Sequence, residues 1–219
     1  MRLLSSKLLL LLISLSGIAS SACQAGGVGD PCIPEDEYNK NFSGYQVTEV
    51  NVESRSFQCE TRVCLVANFQ GRVSCPYGQP ASSMVEKDKA PVADPNTPAP
   101  DRCYLPGTKQ DQSNLVAVPV SPQLVARPPD SAVYCSCRCS GPDPNAQYCD
   151  CPSGYLCQKL VDAYGTSGGA QLAGSYCIKD GTQVTDPTPL ASGSTCDLKN
   201  QPLQPRPAGC GTDEHPSGI

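Results

Sequence analysis

Fifteen cysteines stand in a chain of 219 residues, and no two of them are three apart, so a C-x-x-C pair is absent. That absence removes the usual zinc-ribbon spacing and the thioredoxin-type redox motif, and leaves disulfides as the main use of the sulfur. The count is odd, so pairing within one chain leaves at least one cysteine with another role. The rest of the composition points the same way. With 17% charged residues, 5% aromatic residues, no tryptophan, 19 glycines and 22 prolines, the chain lacks the side chains for a large apolar core and has many turn formers. The expected fold is small, disulfide-rich, mainly β and irregular, with at most one or two short helices.

Residues 1–22 read as a secretory signal. Arg2 and Lys7 form its basic start, Leu8 to Leu15 its apolar centre, and Gly17 to Ala22 a small-residue end. The apolar run is far shorter than the roughly 20 residues a spanning helix needs. Cys23 follows directly after Ser20, Ser21 and Ala22. This junction resembles a bacterial lipoprotein signal, in which a small-residue box ends at a cysteine. The resemblance implies that the Cys23 thiol is diacylated, the chain is cut before it, and the new amine is acylated. Ser20 stands where that family usually has Leu. An ordinary signal peptidase cutting after Ala22 is the alternative. Parity separates the two, because setting Cys23 aside leaves fourteen cysteines, an even number. Gln24, in place of the Asp that retains such proteins at the inner membrane, implies the outer membrane on its periplasmic or surface side. Free secretion is the alternative.

Removal of residues 1–22 leaves 14 basic against 21 acidic side chains, a formal charge of −7. An acidic chain without a polybasic patch is not built for nucleic acid or for purely electrostatic adhesion to anionic lipid. Attachment to the lipid bilayer would rest on acyl chains, each buried methylene contributing about 0.8 kcal/mol.

The remaining cysteines fall into even blocks. Cys32, Cys59, Cys64 and Cys75 belong to a module over 23–80; Cys103, Cys135, Cys137, Cys139, Cys149, Cys151, Cys157 and Cys177 belong to one over 102–181. Cys196 and Cys210 form a pair in a tail over 182–219. The Pro-rich stretch 81–101 reads as the linker between the first two. Even blocks suggest modules closed on themselves, although eight cysteines alone admit 105 pairings.

Within the first module, Glu35 to Glu37 suggest one helical turn, and Tyr45 to Val52 and Val63 to Phe69 suggest two or three strands. In the second, Leu115 to Val120 and Ala132 to Cys139 look like strands, the former demoted to an edge by Pro119. An extended Cys135-Ser136-Cys137-Arg138-Cys139 would put its three sulfurs on one side, facing partners elsewhere. Leu156, Leu160, Val161 and Tyr164, followed by Gly165, suggest a short capped helix. Cys75-Pro-Tyr-Gly78 and Cys151-Pro-Ser-Gly154 are two sulfur-pinned turns.

No catalytic constellation is visible. His215, the sole histidine, lies in a Gly/Pro/Ser tail, and nothing marks a tuned pair among Glu35, Asp36, Glu37, Glu49 and Glu53. No phosphate-binding glycine loop occurs and no cofactor is expected; no metal is expected either, because C-x-C is a weak zinc signal and an oxidising compartment consumes the thiolates a metal needs. The string Cys149-x-Cys151-Pro-Ser-Gly154-Tyr155-x-Cys157 resembles the second half of an epidermal-growth-factor-like module, departing from it in the single residue between Tyr155 and Cys157. With its lipoprotein-like signal, the opening Gly29-Asp30-Pro31-Cys32, Cys75-Pro-Tyr-Gly78, Cys135-x-Cys137-x-Cys139 and Cys151-Pro-Ser-Gly154-Tyr155, the chain is similar in style, along most of its length, to the cysteine-rich surface lipoproteins of gliding deltaproteobacteria such as myxobacteria. That resemblance implies a non-enzymatic structural or interaction component of a surface complex, serving gliding motility or adhesion, with an outer-membrane or surface protein as partner. The alternatives are a secreted EGF-like binding module and a carboxylate-dependent glycan or cell-wall hydrolase.

Overall fold

The computed structural model describes residues 27–81, 102–162, 171–196 and 210. The signal segment, Cys23, the linker beyond Ala81, Tyr164, Gly165 and His215 lie outside the described residues.

Val63–Ala67 is the strand around which the fold is built. Its run Val-Cys-Leu-Val-Ala has almost no polar face, which suits a strand covered on both sides. This strand, β2, pairs antiparallel with β1 (Val50–Glu53) on one edge and with β3 (Val133–Ser136) on the other. Alternation along the strands then separates two cores. Cys64, Val66, Val133 and Cys135 face Cys32, Ile33, Tyr45, Phe69 and Val73. Leu65, Ala67 and Tyr134 face the other way, onto Tyr176 and Ile178.

Those last two residues belong to a second three-stranded antiparallel sheet, in the order β4 (Arg138–Ser140), β6 (Gly174–Lys179), β5 (Tyr155–Val161). The chain passes between sheets at Cys137, which lies between β3 and β4. Interruption at that residue corrects the expectation of one extended strand over 132–139 with three sulfurs on one side. The second sheet is fastened to the first by polar contacts as well as by burial. The Ser136 hydroxyl donates to the Cys177 carbonyl, and the Lys179 amide donates to the Tyr134 hydroxyl.

The helix suggested near Leu156 is instead β5. Its Leu156 is exposed and lies opposite Ile178, and Cys157 lies opposite Cys177. A register shift between Lys159 and Val161 lets Leu160 and Val161 both reach the shared core, mimicking helical spacing in the sequence. Pairing with β6 overrides the local pattern. Elsewhere the short elements agree better with the sequence. Glu35–Tyr38 forms a 3-10 turn. Among the described residues the α-helices are single turns, α1 (Pro129–Ala132) and α2 (Thr188–Ala191), each opened by proline. Leu115 and Val120 make isolated bridges, to Tyr104 and Gln79, rather than a continuous strand.

The seven disulfides confirm a disulfide-rich, mainly β fold and correct one detail of its wiring. Cys32–Cys64, Cys137–Cys149, Cys139–Cys157, Cys151–Cys177 and Cys196–Cys210 close within their blocks. Cys59–Cys135 and Cys75–Cys103 do not; they join residues on either side of the 81–101 stretch. Block parity could not reveal this, because exchanging one partner from each of two pairs leaves every count even. The first sheet is likewise shared, taking β1 and β2 from before that stretch and β3 from after it.

Loops without regular structure are held by buried side chains. The Gln79 amide takes the place of a missing strand, donating to the Val116 and Val118 carbonyls at 3.0 Å each and accepting from the Cys103 amide at 2.8 Å. At Gly78 the φ of 69° and the closeness of the backbone at Val120 to Pro122 leave no room for a Cβ. The tail returns to the body as the Cys196 amide donates to the Gln123 carbonyl.

Candidate functional site

The cysteines expected to bridge do so, and their sulfurs gather into groups. Cys32, Cys59 and Cys135 have sulfurs within 4.8 Å of one another, as do Cys137, Cys149 and Cys177, and Cys139, Cys151 and Cys177. Each of these sulfurs is already bonded to another, and a bridged sulfur is not the thiolate a metal requires. The clusters arise from cross-strand register. Cys64 lies opposite Cys135, and Cys157 opposite Cys177, yet each turns to a partner outside its own pair. Two bridges therefore lie side by side across each pair of strands.

The acidic residues around Glu37 separate into unlike environments. Glu35, Asp36 and Glu49 are exposed, whereas Glu37 is fully buried. Its carboxylate accepts from the Val73 amide at 2.5 Å, the Ser74 amide at 2.9 Å and the Ser74 hydroxyl at 2.6 Å. Arg72, also fully buried, stands 4.0 Å away through Nε and donates to the carbonyls of Glu37, Asn39 and Phe42. Burial pushes the Glu37 carboxyl up from its ordinary value, against the pull of Ser74, Arg72 and Val73. Burial likewise lowers Arg72, opposed by Glu37. With both oxygens occupied by this loop, Glu37 works as a fastener between 35–42 and 72–74. Glu53 accepts from the Glu35 amide at 2.9 Å, and partial burial raises its pKa.

Arg127 plays a comparable part that the sequence does not advertise. Its guanidinium donates only to backbone carbonyls, those of Ala67, Asn68 and Thr182, joining the end of β2 to the segment after β6. Ordinary charge counting places arginines on the surface, so neither Arg72 nor Arg127 stood out beforehand.

A presented surface occurs at residues 54–62, the loop joining β1 to β2. Phe57 is 84% exposed there, the most exposed of the large apolar side chains among the described residues. The backbone beneath it is firmly fixed. Ser56 is buried and its amide donates to the Arg62 carbonyl; the Gln58 amide group exchanges hydrogen bonds with Ile33 at 2.8 and 2.9 Å. Cys59 is bridged to Cys135, and the Thr61 hydroxyl donates to the Ser136 carbonyl. Arg62, in a left-handed conformation with φ 64°, closes a turn onto Cys59 and lays its guanidinium 4.8 Å from the Phe57 ring centre. A rigid loop thus displays an aromatic ring beside Arg62, with Arg55 also exposed. Rigid aromatic and arginine side chains lose little entropy on contact and are the side chains most often found at the centre of interaction surfaces.

Among the described residues, Glu37, Arg72 and Arg127 act as fasteners, and the 54–62 loop is the displayed surface. The many disulfides place the protein in an oxidising compartment, extracellular or exposed in a cell envelope. Among the described residues no helix is long and apolar enough to cross a membrane. Compared with known proteins, the chain matches no family model, no curated protein and no solved structure.

Proposed function

We propose that the chain is a non-enzymatic, disulfide-stabilised lipoprotein, anchored in the outer membrane through Cys23 and serving as a structural or protein-interaction component of a cell-surface complex. Gliding motility or adhesion is the process its style of sequence favours. The observation that carries this reading is the pairing itself: seven bridges consume all fourteen cysteines from Cys32 to Cys210, so Cys23 alone has no partner within the chain. A cysteine at the end of an export signal, left over by parity, suits acylation better than an idle thiol in an oxidising compartment. The acidic net charge removes nucleic acid from the expected partners.

Intact mass of the protein from native membranes tests the anchor. Diacylation of Cys23 and acylation of its amine add several hundred daltons to the mature chain, and a Cys23→Ser variant stays unmodified and leaves the membrane fraction. A native mass equal to the bare chain beginning at Cys23 would overturn the lipoprotein reading in favour of a secreted module. Crosslinking from native membranes then identifies the protein partner, and loss of that crosslink in Cys23→Ser shows that anchoring supports assembly.

A further inference from the structure

We infer that the 54–62 loop is the membrane-facing end of the anchored protein, with Phe57 entering the phospholipid interface and Arg55 and Arg62 meeting lipid phosphates. This rests on the proposed anchor at Cys23. Gly27, the first described residue, is four residues beyond Cys23, so the chain can place it no more than about 14 Å from the acylated cysteine. The entering chain is fastened at once to β3, the Gly29 amide donating to the Cys135 carbonyl at 2.8 Å and the Cys135 amide donating back to the Asp30 carbonyl at 2.8 Å. Cys135 is also the residue to which the loop is bridged, with 5.4 Å between its Cα and that of Cys59. Anchor entry and displayed loop therefore converge on one residue. Acyl chains drawn into a bilayer bring Phe57 to its surface.

The chemistry of the loop suits that location. An aromatic ring this exposed gains by leaving water, and its neighbours Arg55 and Arg62 form no ion pair among the described residues. Glu60 is the one acid of residues 54–62, leaving the loop a net charge of +1 on a chain that is acidic elsewhere. So small a charge does not bind a membrane by itself; it orients a protein that the acyl chains already hold.

The test uses the absence of tryptophan from the natural sequence. The mature, oxidised chain carrying Phe57→Trp is coupled through Cys23 to a maleimide lipid in vesicles of phosphatidylethanolamine and phosphatidylglycerol. A second variant carries its indole at Lys109, in the loop tied to Cys103 and Lys40 rather than to Cys135. The expected result is a blue-shifted Phe57→Trp emission that loses most of its intensity when brominated lipid is included, with Lys109→Trp unaffected. Adding Arg55→Gln and Arg62→Gln weakens the quenching. Water-like, unquenched emission from Phe57→Trp on the vesicle overturns the inference, as does a blue shift that appears only on adding a surface protein, which would make the loop a protein contact. Chemical coupling supplies the anchor artificially. Failure of natural acylation, read by mass, is thus distinct from failure of the loop to meet lipid.

Discussion

The two sheets are of similar size and are stabilised in different ways. The β1–β2–β3 sheet is covered on both faces, and its central strand is buried almost end to end. The β4–β6–β5 sheet buries β6 but leaves much of β5 in solvent, and compensates with three bridges among Cys137, Cys139, Cys149, Cys151, Cys157 and Cys177. In the first, cross-links supplement a core. In the second, which shares a core with the first through Tyr176 and Ile178, they make up for the strand left in solvent, because a narrow sheet with one exposed strand buries too little apolar surface to offset its lost chain entropy.

Reduction tests this contrast most severely. Each bridge contributes typically about 2–4 kcal/mol, and seven together exceed the net stability of most small domains even though the contributions do not simply add. Excess reductant is expected to unfold the protein without heating, with amide protection lost from β4, β5 and β6 before β2. Unchanged circular dichroism and protease resistance would break the argument, and simultaneous loss from both sheets would remove the distinction between them.

Substitution inside the first region comes next in size. Arg72→Met leaves a buried carboxylate without its charged neighbour, and loss of one member of such a pair costs about 3–5 kcal/mol. Denaturant titration should show this loss, with part of it recovered in Arg72→Met combined with Glu37→Gln. A stability matching the unmodified protein would show that the hydrogen bonds from Val73 and Ser74 suffice. In the second region, Cys139→Ser with Cys157→Ser opens a loop of sequence separation 18 and is expected to cost about 3 kcal/mol. Exchange should quicken in β5 and leave β1 and β2 nearly unchanged.

The seam between the sheets responds to alkali. Tyr134, Tyr155 and Tyr176 lie in it, with the Tyr134 and Tyr155 rings edge to face at 5.8 Å, and burial raises the pKa of all three. Tyr45 in the first core is raised for the same reason, reinforced by Asp36 and Glu37. A phenol whose pKa is higher folded than unfolded contributes stability below the unfolded value of 10.0 that is lost as pH rises above it. For deeply buried Tyr45 the loss is about 1.4 kcal/mol per pH unit while the folded phenol stays protonated. Stability measured promptly across that range should fall, accompanied by delayed tyrosinate absorbance; a flat profile would place these phenols in solvent contact.

Much of this was legible in the chain. The β-branched and aromatic stretch Val63 to Phe69 announced a strand, the turn at Glu35 to Glu37 formed, and Cys196 paired with Cys210. The Leu156 to Tyr164 pattern misled, because a shift in strand register brings Leu160 and Val161 to one side as a helical repeat would, while Leu156 is left exposed. Phe57 carried no mark in the sequence, since exposure belongs to the assembled surface.

By itself, the sequence determined the chemical class of the protein: a cysteine-rich chain too poor in large apolar groups to rely on burial, with an odd cysteine count that leaves one sulfur without a partner in the chain. Those conclusions follow from composition, which folding does not alter. Only the tertiary structure decided that Cys59 reaches Cys135, that Arg72 and Arg127 are buried, and that chain entry and the Phe57 loop meet at one residue. Each depends on which distant segments pack together, and that is set by the summed energy of many contacts rather than by any local pattern.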